Sequence, residues 1–424
     1  MLAWNCDKAN IMKCEIIVIG DELLIGQVVD TNSAWMAAEL NKQGWDVTHI
    51  ATINDEADTI KDAISSAFSR VDAVLMTGGL GPTSDDVTKP VLCQYFGGKM
   101  IFSQEVYEQN LRYFAGRGLQ MNESTRRQAE VPDVCTVIAN PVGTAPVMWF
   151  EREGKVLVAM PGVPHEMRVA MKGDVLERLR RFAGDNDAIL HRTLMVFRNT
   201  ESGLSERLAD FEASLPSCIK LAYLPIPGVV RLRLTARGSN EPELSKILDE
   251  MVERLHHILG KDIFYNGDTT LAGAVGAILK ERGLTLATAE SCTGGNIAHE
   301  ITAIAGSSAY FKGAVVAYSN EVKQQVLGVD AQDLHNYGAV SESVVSAMAA
   351  GVQRTMNVDC AIATSGIAGP DGGTPDKPVG TVWIAVNCRD EQRKECVHFS
   401  GSRSYIIERA TQRALMMLID LLIG

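Results

Sequence analysis

A pattern repeated along this chain constrains its fold most. A short apolar strand run ends in a loop rich in glycine and hydroxyl residues, and a helical pattern then begins. Ala73–Met76 runs into Thr77-Gly78-Gly79-Leu80-Gly81, and Leu284–Ala289 into Glu290-Ser291-Cys292-Thr293-Gly294-Gly295. Asp359–Ala363 runs into Thr364-Ser365-Gly366-Ile367-Ala368-Gly369. Strand runs alternating with amphipathic helical periodicity predict an α/β chain with doubly wound sheets. Ligands of such sheets sit in loops at the carboxyl ends of strands, so the glycine loops are the first places to look for function.

At roughly 100–200 residues per domain, 424 residues suggest two to four domains. Residues 1–11 are polar and patternless and read as a disordered leader. Residues 12–181 form the first α/β domain, with strands Cys14–Ile19, Asp46–Ile53, Ala73–Met76 and Val156–Met160. Helical patterns cover Ser33–Gln43 and Pro164–Arg181. Residues 182–264 change texture: strands Leu194–Phe197 and Val229–Ala236 with helices Gly203–Leu215 and Pro242–Leu259 predict a small α+β, KH-like domain. It carries no GxxG loop flanked by basic residues, so its expected role is structural. Residues 265–424 form a second α/β domain.

A formal net charge of −12 argues against a nucleic-acid partner, because phosphate backbones demand a basic surface. The nine cysteines are scattered without a CxxC pair, which excludes a zinc ribbon and reads as reduced thiols. With no secretory or membrane-length apolar run, the expectation is a soluble, cytoplasmic protein without a membrane partner. The apolar final helix, Ile406–Ile423, predicts a homodimer, and burial inside its own domain accounts for the same pattern.

In the C-terminal domain, Ser291, Thr293, Gly294 and Gly295 precede a helical pattern at Asn296–Ala303. Free N–H groups at a helix start favour a phosphate there, whereas a plain capping turn uses the same residues. Gly306-Ser307-Ser308 and Lys323 supply a serine and a lysine, a pair able to act as nucleophile and base when the lysine is held neutral. Ser365, Gly366 and Gly369 line the third glycine loop, and Arg403 and Arg409 near the last helix are candidate clamps for a phosphate or carboxylate.

Three blocks, TAESCTGG (Thr288–Gly295), GAVVAYSNEVK (Gly313–Lys323) and SGIAGPDGGTPDKPVGTVWIAV (Ser365–Val386), resemble the CinA C-terminal family of nicotinamide mononucleotide deamidases. The resemblance implies hydrolysis of the nicotinamide carboxamide to nicotinate mononucleotide and ammonia, without a cofactor. It implies Ser308 as nucleophile, with Ser291 as the alternative, Lys323 as general base and Tyr318 as a pocket residue. Substrate contacts would fall on Ser291, Thr293, Gly294, Ser365 and Arg403, with Arg409 the alternative clamp.

In the N-terminal domain, Gly78, Gly79 and Gly81 leave backbone amides free to cradle phosphate, with Thr83 beside them. The adjacent Asp85 and Asp86 are of the type that holds a divalent cation, or else cap the following helix. There is no GK[ST] ending, so this is not a Walker A loop. The domain resembles the molybdopterin-binding fold of MoaB and Mog proteins, and more closely the CinA N-terminal domain. Gly20–Gly26, Asn140–Ala145 and Pro161–Met167 carry that resemblance together with the glycine loop. It implies a metal-dependent ADP-ribose pyrophosphatase yielding AMP and ribose 5-phosphate. Asp55 and Asp86 would be its functional carboxylates, Asp21, Asp85, Asp86 and Glu166 its metal ligands, and Lys89 and His165 auxiliary groups. The rival expectations are a pterin- or nucleotide-binding domain without turnover, and an interaction protein serving competence or DNA repair.

Overall fold

The computed structural model describes residues 11–83, 86–184 and 188–424, so most of the expected leader and Asp85 lie outside the described residues. The chain divides into two compact units. One comprises Met1–His191, Pro216–Lys220 and Thr235–Asp249, the other Arg192–Leu215, Leu221–Leu234 and Glu250–Gly424.

In the first unit lie β1 (Lys13–Ile19), β2 (Asp46–Ile53) and β3 (Ala73–Thr77), then a small pair, β4 (Met100–Phe102) with β5 (Glu130–Pro132). β6 (Thr136–Ile138), β7 (Val147–Arg152) and β8 (Lys155–Met160) complete a six-stranded sheet of order β2-β1-β3-β8-β7-β6. β1 pairs parallel with β2 and β3, and β3 parallel with β8. The alternation of a strand sends Ile16 and Val18 to one face and Ile17 and Ile19 to the other. Met36 and Leu40 of the helix Asn32–Lys42 join the first set, and Ile60 and Ile64 of the helix Ala57–Phe68 join the second. Helices therefore cover both faces, as a mostly parallel sheet with near-continuous apolar strands requires.

β9 (Ala188–Phe197), β10 (Ile219–Ile226), β11 (Val229–Gly238) and β12 (Ile263–Asn266) form a four-stranded sheet of order β10-β11-β9-β12. The single helix expected at 203–215 is two short ones, Glu201–Arg207 and Ala209–Ala213, meeting at Leu208.

In the second unit, β13 (Leu286–Glu290), β14 (Phe311–Val316), β15 (Cys360–Gly366), β16 (Thr381–Cys388) and β17 (Glu391–His398) make a five-stranded sheet of order β14-β13-β15-β16-β17. β13 pairs parallel with β14 and β15, while β16 and β17 return antiparallel. β13 starts two residues later than the apolar run, because the helix Leu271–Arg282 closes on Gly283 at φ 63° and the Leu284 N–H turns back to the Leu279 carbonyl. The edge strand β17, sequence EQRKECVH, has no apolar alternation and was not expected.

The last helix, Arg403–Ile423, buries Ile406, Ala410, Leu415 and Leu418 in the core of its own unit. Its apolar content is thus accounted for within one chain, which removes that argument for a dimer. Among the described residues no helix is long and apolar enough to cross a membrane.

Candidate functional sites

Because β13, β14 and β15 run parallel, their carboxyl ends lie at one edge of the sheet, and the three motif-bearing loops leave from that edge. Ser291 follows β13 directly, and its N–H donates to the Thr364 carbonyl of β15 at 3.0 Å. The chain after β14 turns into the helix Asn320–Gln325, which carries Lys323 back into the unit. Lys323 is 1% exposed. Its Nζ donates to the Ser291 Oγ at 3.1 Å and to the Ala317 carbonyl at 2.7 Å. Burial lowers the Lys323 pKa below its ordinary value, which favours the neutral amine that a general base requires. Cys292, next to the serine, is buried and its thiol is pushed up to about 12, so it is no competing nucleophile.

Ser308 is not part of this group. It is exposed in the turn Ser307–Ala309, before β14 begins, whereas Lys323 comes after β14 ends. A six-residue strand spans roughly 20 Å at about 3.3 Å per residue. The Ser308–Lys323 dyad is therefore not formed, and the lysine meets Ser291.

The phosphate site expected at the helix start is also corrected. The helix Asn296–Thr302 has its first N–H groups taken by Glu290, a carboxylate with no exposed surface. Gly295 N and Ile297 N donate to its Oε2, both at 3.0 Å, and Ala298 N donates to its Oε1 at 2.9 Å. Thr288 and Thr293 add their hydroxyls at 3.1 and 2.8 Å, and Thr293 Oγ1 lies 2.7 Å from Thr364 Oγ1. Thr293 and Gly295 are thus internal struts rather than substrate contacts. Gly294 and Gly295, at φ 62° and 97°, supply the left-handed backbone that this tight loop needs.

Arg403 opens the last helix and bridges two loops, donating from Nη1 to the Gly369 carbonyl at 2.7 Å and from Nη2 to the Tyr318 hydroxyl at 2.8 Å. Arg409 instead lies 6.0 Å from the ring centres of Phe399 and Tyr405. Arg403 is therefore the arginine that belongs with Tyr318. The Ser365 hydroxyl donates to the Ala339 carbonyl at 2.7 Å, so its proton is committed to the fold. Gly366 permits close strand approach, since a Cβ there would come 2.8 Å from the Thr381 carbonyl oxygen. Sequence alone assigns no role to Glu290 or Thr364. Glu290 stands inside a quoted motif, and only its burial reveals what it does.

In the first unit, a cavity of about 400 Å³ opens at the carboxyl ends of the parallel strands, lined by Gly78, Gly79, Gly81, Asp55, Asp86 and Glu166. Gly78 sits at φ 111°, where a Cβ would lie 2.1 Å from the Ile19 carbonyl oxygen, so glycine is required. Asp86 closes the glycine loop on itself: it accepts from Gly81 N at 2.7 Å, Thr83 N at 2.9 Å and the Thr83 hydroxyl. Asp55 accepts from Asp21 N at 3.2 Å. Burial pushes the Asp55 carboxyl up, and the charges of Asp21, Glu22 and Asp86 add to that rise. Burial likewise raises Glu166, against the lowering effect of the bond from Asn140 Nδ2 at 2.7 Å. Asp21 is exposed and outside the lining, where its neighbour Glu22 takes part. Exposed His165 is the second residue of the helix Pro164–Ala170.

Lys89 does not serve as a phosphate contact. It is buried, its Nζ donates to the Gln128 and Glu130 carbonyls at 3.2 and 3.4 Å, and burial lowers its pKa to about 8. Gln128, which also lines the cavity, was missed because nothing in its sequence context marks it.

The charged side chains among the residues lining this cavity are all acidic, so an unaccompanied phosphate would be repelled. Among the described residues no three His, Cys, Asp or Glu side chains are grouped to hold a metal ion. Of the expected ligands, Asp86 and Glu166 line the cavity, Asp21 does not, and Asp85 lies outside the described residues. The carboxylates suit only a hard cation that shares its coordination with substrate phosphate oxygens.

Three family models match the chain. They are "Probable molybdopterin binding domain" over residues 15–181, "Damage-inducible protein CinA KH domain" over 191–264 and "CinA C-terminal domain" over 268–422. A CinA-like protein of Flavobacterium psychrophilum is 42% identical over 412 residues, 96% of this chain and 98% of that protein. A CinA-like protein of Cytophaga hutchinsonii is 44% identical over 372 residues, 88% of each. The crystal structure of competence damage-inducible protein A from Klebsiella pneumoniae is 41% identical, covering 36% of this chain and 94% of that one, with a TM-score of 0.35.

Proposed function

The chain belongs to the CinA family, and from that premise we propose that its C-terminal domain hydrolyses the carboxamide of nicotinamide mononucleotide, with Ser291 as nucleophile and Lys323 as its base. The observation that carries this reading is the hydrogen bond between a buried lysine amine and a serine hydroxyl at the carboxyl ends of the three parallel strands β13, β14 and β15. Ser291 Oγ attacks the amide carbon while its proton passes to the Lys323 amine. The tetrahedral intermediate then collapses, and the lysine ammonium hands that proton to the departing nitrogen, which leaves as ammonia. Water attacks the resulting ester, giving a proton to Lys323, which passes it to the departing Ser291 oxygen, so that nicotinate mononucleotide leaves and the serine hydroxyl and neutral lysine are restored. Arg403, held by Tyr318 and Gly369, presents its remaining N–H donors to the substrate phosphate. The test is ammonia release from nicotinamide mononucleotide by the purified chain and by Ser291→Ala, Lys323→Ala and Ser308→Ala. Activity lost in the first two and kept in the third supports the assignment. No release from a folded parent would return this domain to a binding role of the kind an interaction protein needs.

For the first unit the proposed reaction is hydrolysis of ADP-ribose to AMP and ribose 5-phosphate in the acidic cavity. A divalent ion, when bound with the substrate, would neutralise the pyrophosphate. Asp55, with its raised pKa, is the candidate to hold or move a proton there. Asp86 already accepts from Gly81 N, Thr83 N and the Thr83 hydroxyl, which favours a second reading, in which this cavity binds a nucleotide or pterin without turning it over. Measuring AMP formation separates the two.

A further inference from the structure

A buried carboxylate is costly unless it is paired or fully hydrogen-bonded, yet Glu290 has no exposed surface and is the residue immediately before Ser291. We propose that Glu290 is the positioning residue for the Ser291 nucleophile, a role that rests on the deamidase reading above. Its two oxygens gather three backbone N–H groups, from Gly295, Ile297 and Ala298, and two hydroxyls, from Thr288 and Thr293. Those partners lie on both sides of the loop 291–295, one on β13, one within the loop and three from its last glycine into the following helix. A single side chain thus ties the strand, the loop and the helix start together. The loop has two further anchors, Ser291 N on the Thr364 carbonyl and Thr293 Oγ1 against Thr364 Oγ1. With both ends fixed, Ser291 Oγ has little freedom to leave the Lys323 amine.

The carboxylate suits this task better than an amide would. It offers only acceptors to the five donors around it. Glutamine would put an NH₂ group against at least one of those donors, and the loop would have to shift to relieve the conflict. A misplacement of about 1 Å at a reacting atom costs on the order of 100-fold in rate. Glu290 does not touch the substrate in this scheme and acts only through Ser291.

The experiment uses the full chain carrying Glu290→Gln, Thr288→Val or Thr293→Val, with kcat and KM for ammonia release expressed per folded molecule. The expected result is a fall in kcat of roughly 100-fold for Glu290→Gln, smaller falls for the two threonine variants, and KM held in all three. A Glu290→Gln chain that fails to fold leaves the graded threonine pair to decide. A purely structural role would lower the folded fraction and leave kcat per folded molecule unchanged, and that result overturns the proposal. A second arm measures the rate at which a fluorophosphonate labels Ser291. A parent that releases no ammonia, yet labels faster than Glu290→Gln, sinks the deamidase reading and leaves the positioning role standing. Equal labelling in parent and variants overturns the positioning role whatever the substrate.

Discussion

Lys323 Nζ stands 3.1 Å from Ser291 Oγ across 32 residues of sequence, and the same nitrogen is held by the Ala317 carbonyl at 2.7 Å. The lysine reaches the serine because parallel pairing of β13 with β14 delivers both following loops to one edge. Its burial then sets its protonation.

The pH dependence of deamidation follows from that burial. The base must be neutral, and desolvation lowers the Lys323 pKa from its ordinary 10.5. The kcat/KM profile should therefore rise with pH along a limb whose midpoint lies below the ordinary lysine value. Lys323→Ala should lose that limb together with roughly 100- to 10,000-fold of rate. A limb surviving in the variant would assign the titration to another group.

Arg403 and Arg409 should separate in binding. Arg403→Ala removes a charged donor set held against Tyr318 and Gly369, and KM for the mononucleotide should rise by roughly 10- to 100-fold. Arg409→Ala, which strips a cation from Phe399 and Tyr405, should leave KM close to that of the parent. Steady-state kinetics on the two variants decides it, and an equal rise in both would remove Arg403 from the clamp.

Chelation should split the two activities. ADP-ribose hydrolysis should fall to background in EDTA and return on adding magnesium or manganese, while ammonia release continues. Loss of ammonia release on chelation would contradict the serine–lysine route. Hydrolysis that survives chelation would remove the metal from the first unit, and none under any condition would favour binding alone.

Lys89 makes a prediction about stability. Its folded pKa, about 8, lies below its ordinary 10.5 because burial opposes the charge. Between those values the unfolded chain binds the proton and the folded chain does not, so this group makes stability rise with pH. Below about pH 8 the folded state bears the full cost of a buried ammonium. Lys89→Met should therefore gain most relative to the parent near neutral pH, and that gain should shrink toward pH 10. Denaturant unfolding of both proteins across this range checks the sign, and a gain that grows with pH would overturn it.

Local chemistry in the sequence determined a good deal. Short apolar runs and glycine punctuation located the strands Ala73–Thr77 and Cys360–Gly366 to within a few residues, and with them the loops that carry both candidate sites. The alternation of strands and helices determined the α/β class, and the motif blocks determined the family. Tertiary structure alone decided which side chains meet. Ser308 and Ser291 are equally good hydroxyls in sequence, yet one precedes its strand and the other follows its own, and parallel pairing sends those positions to opposite edges. Thr293 and Gly295 look like an anion site until the Glu290 carboxylate folds over the helix start and takes its N–H groups. Arg403 and Arg409 lie on one helix, and only the loops around it separate a site residue from one set beside aromatic rings. Periodicity and turn propensity act over a few bonds and can be read along the chain. Hydrogen-bond partnership and burial depend on where distant segments return, which the packed core fixes.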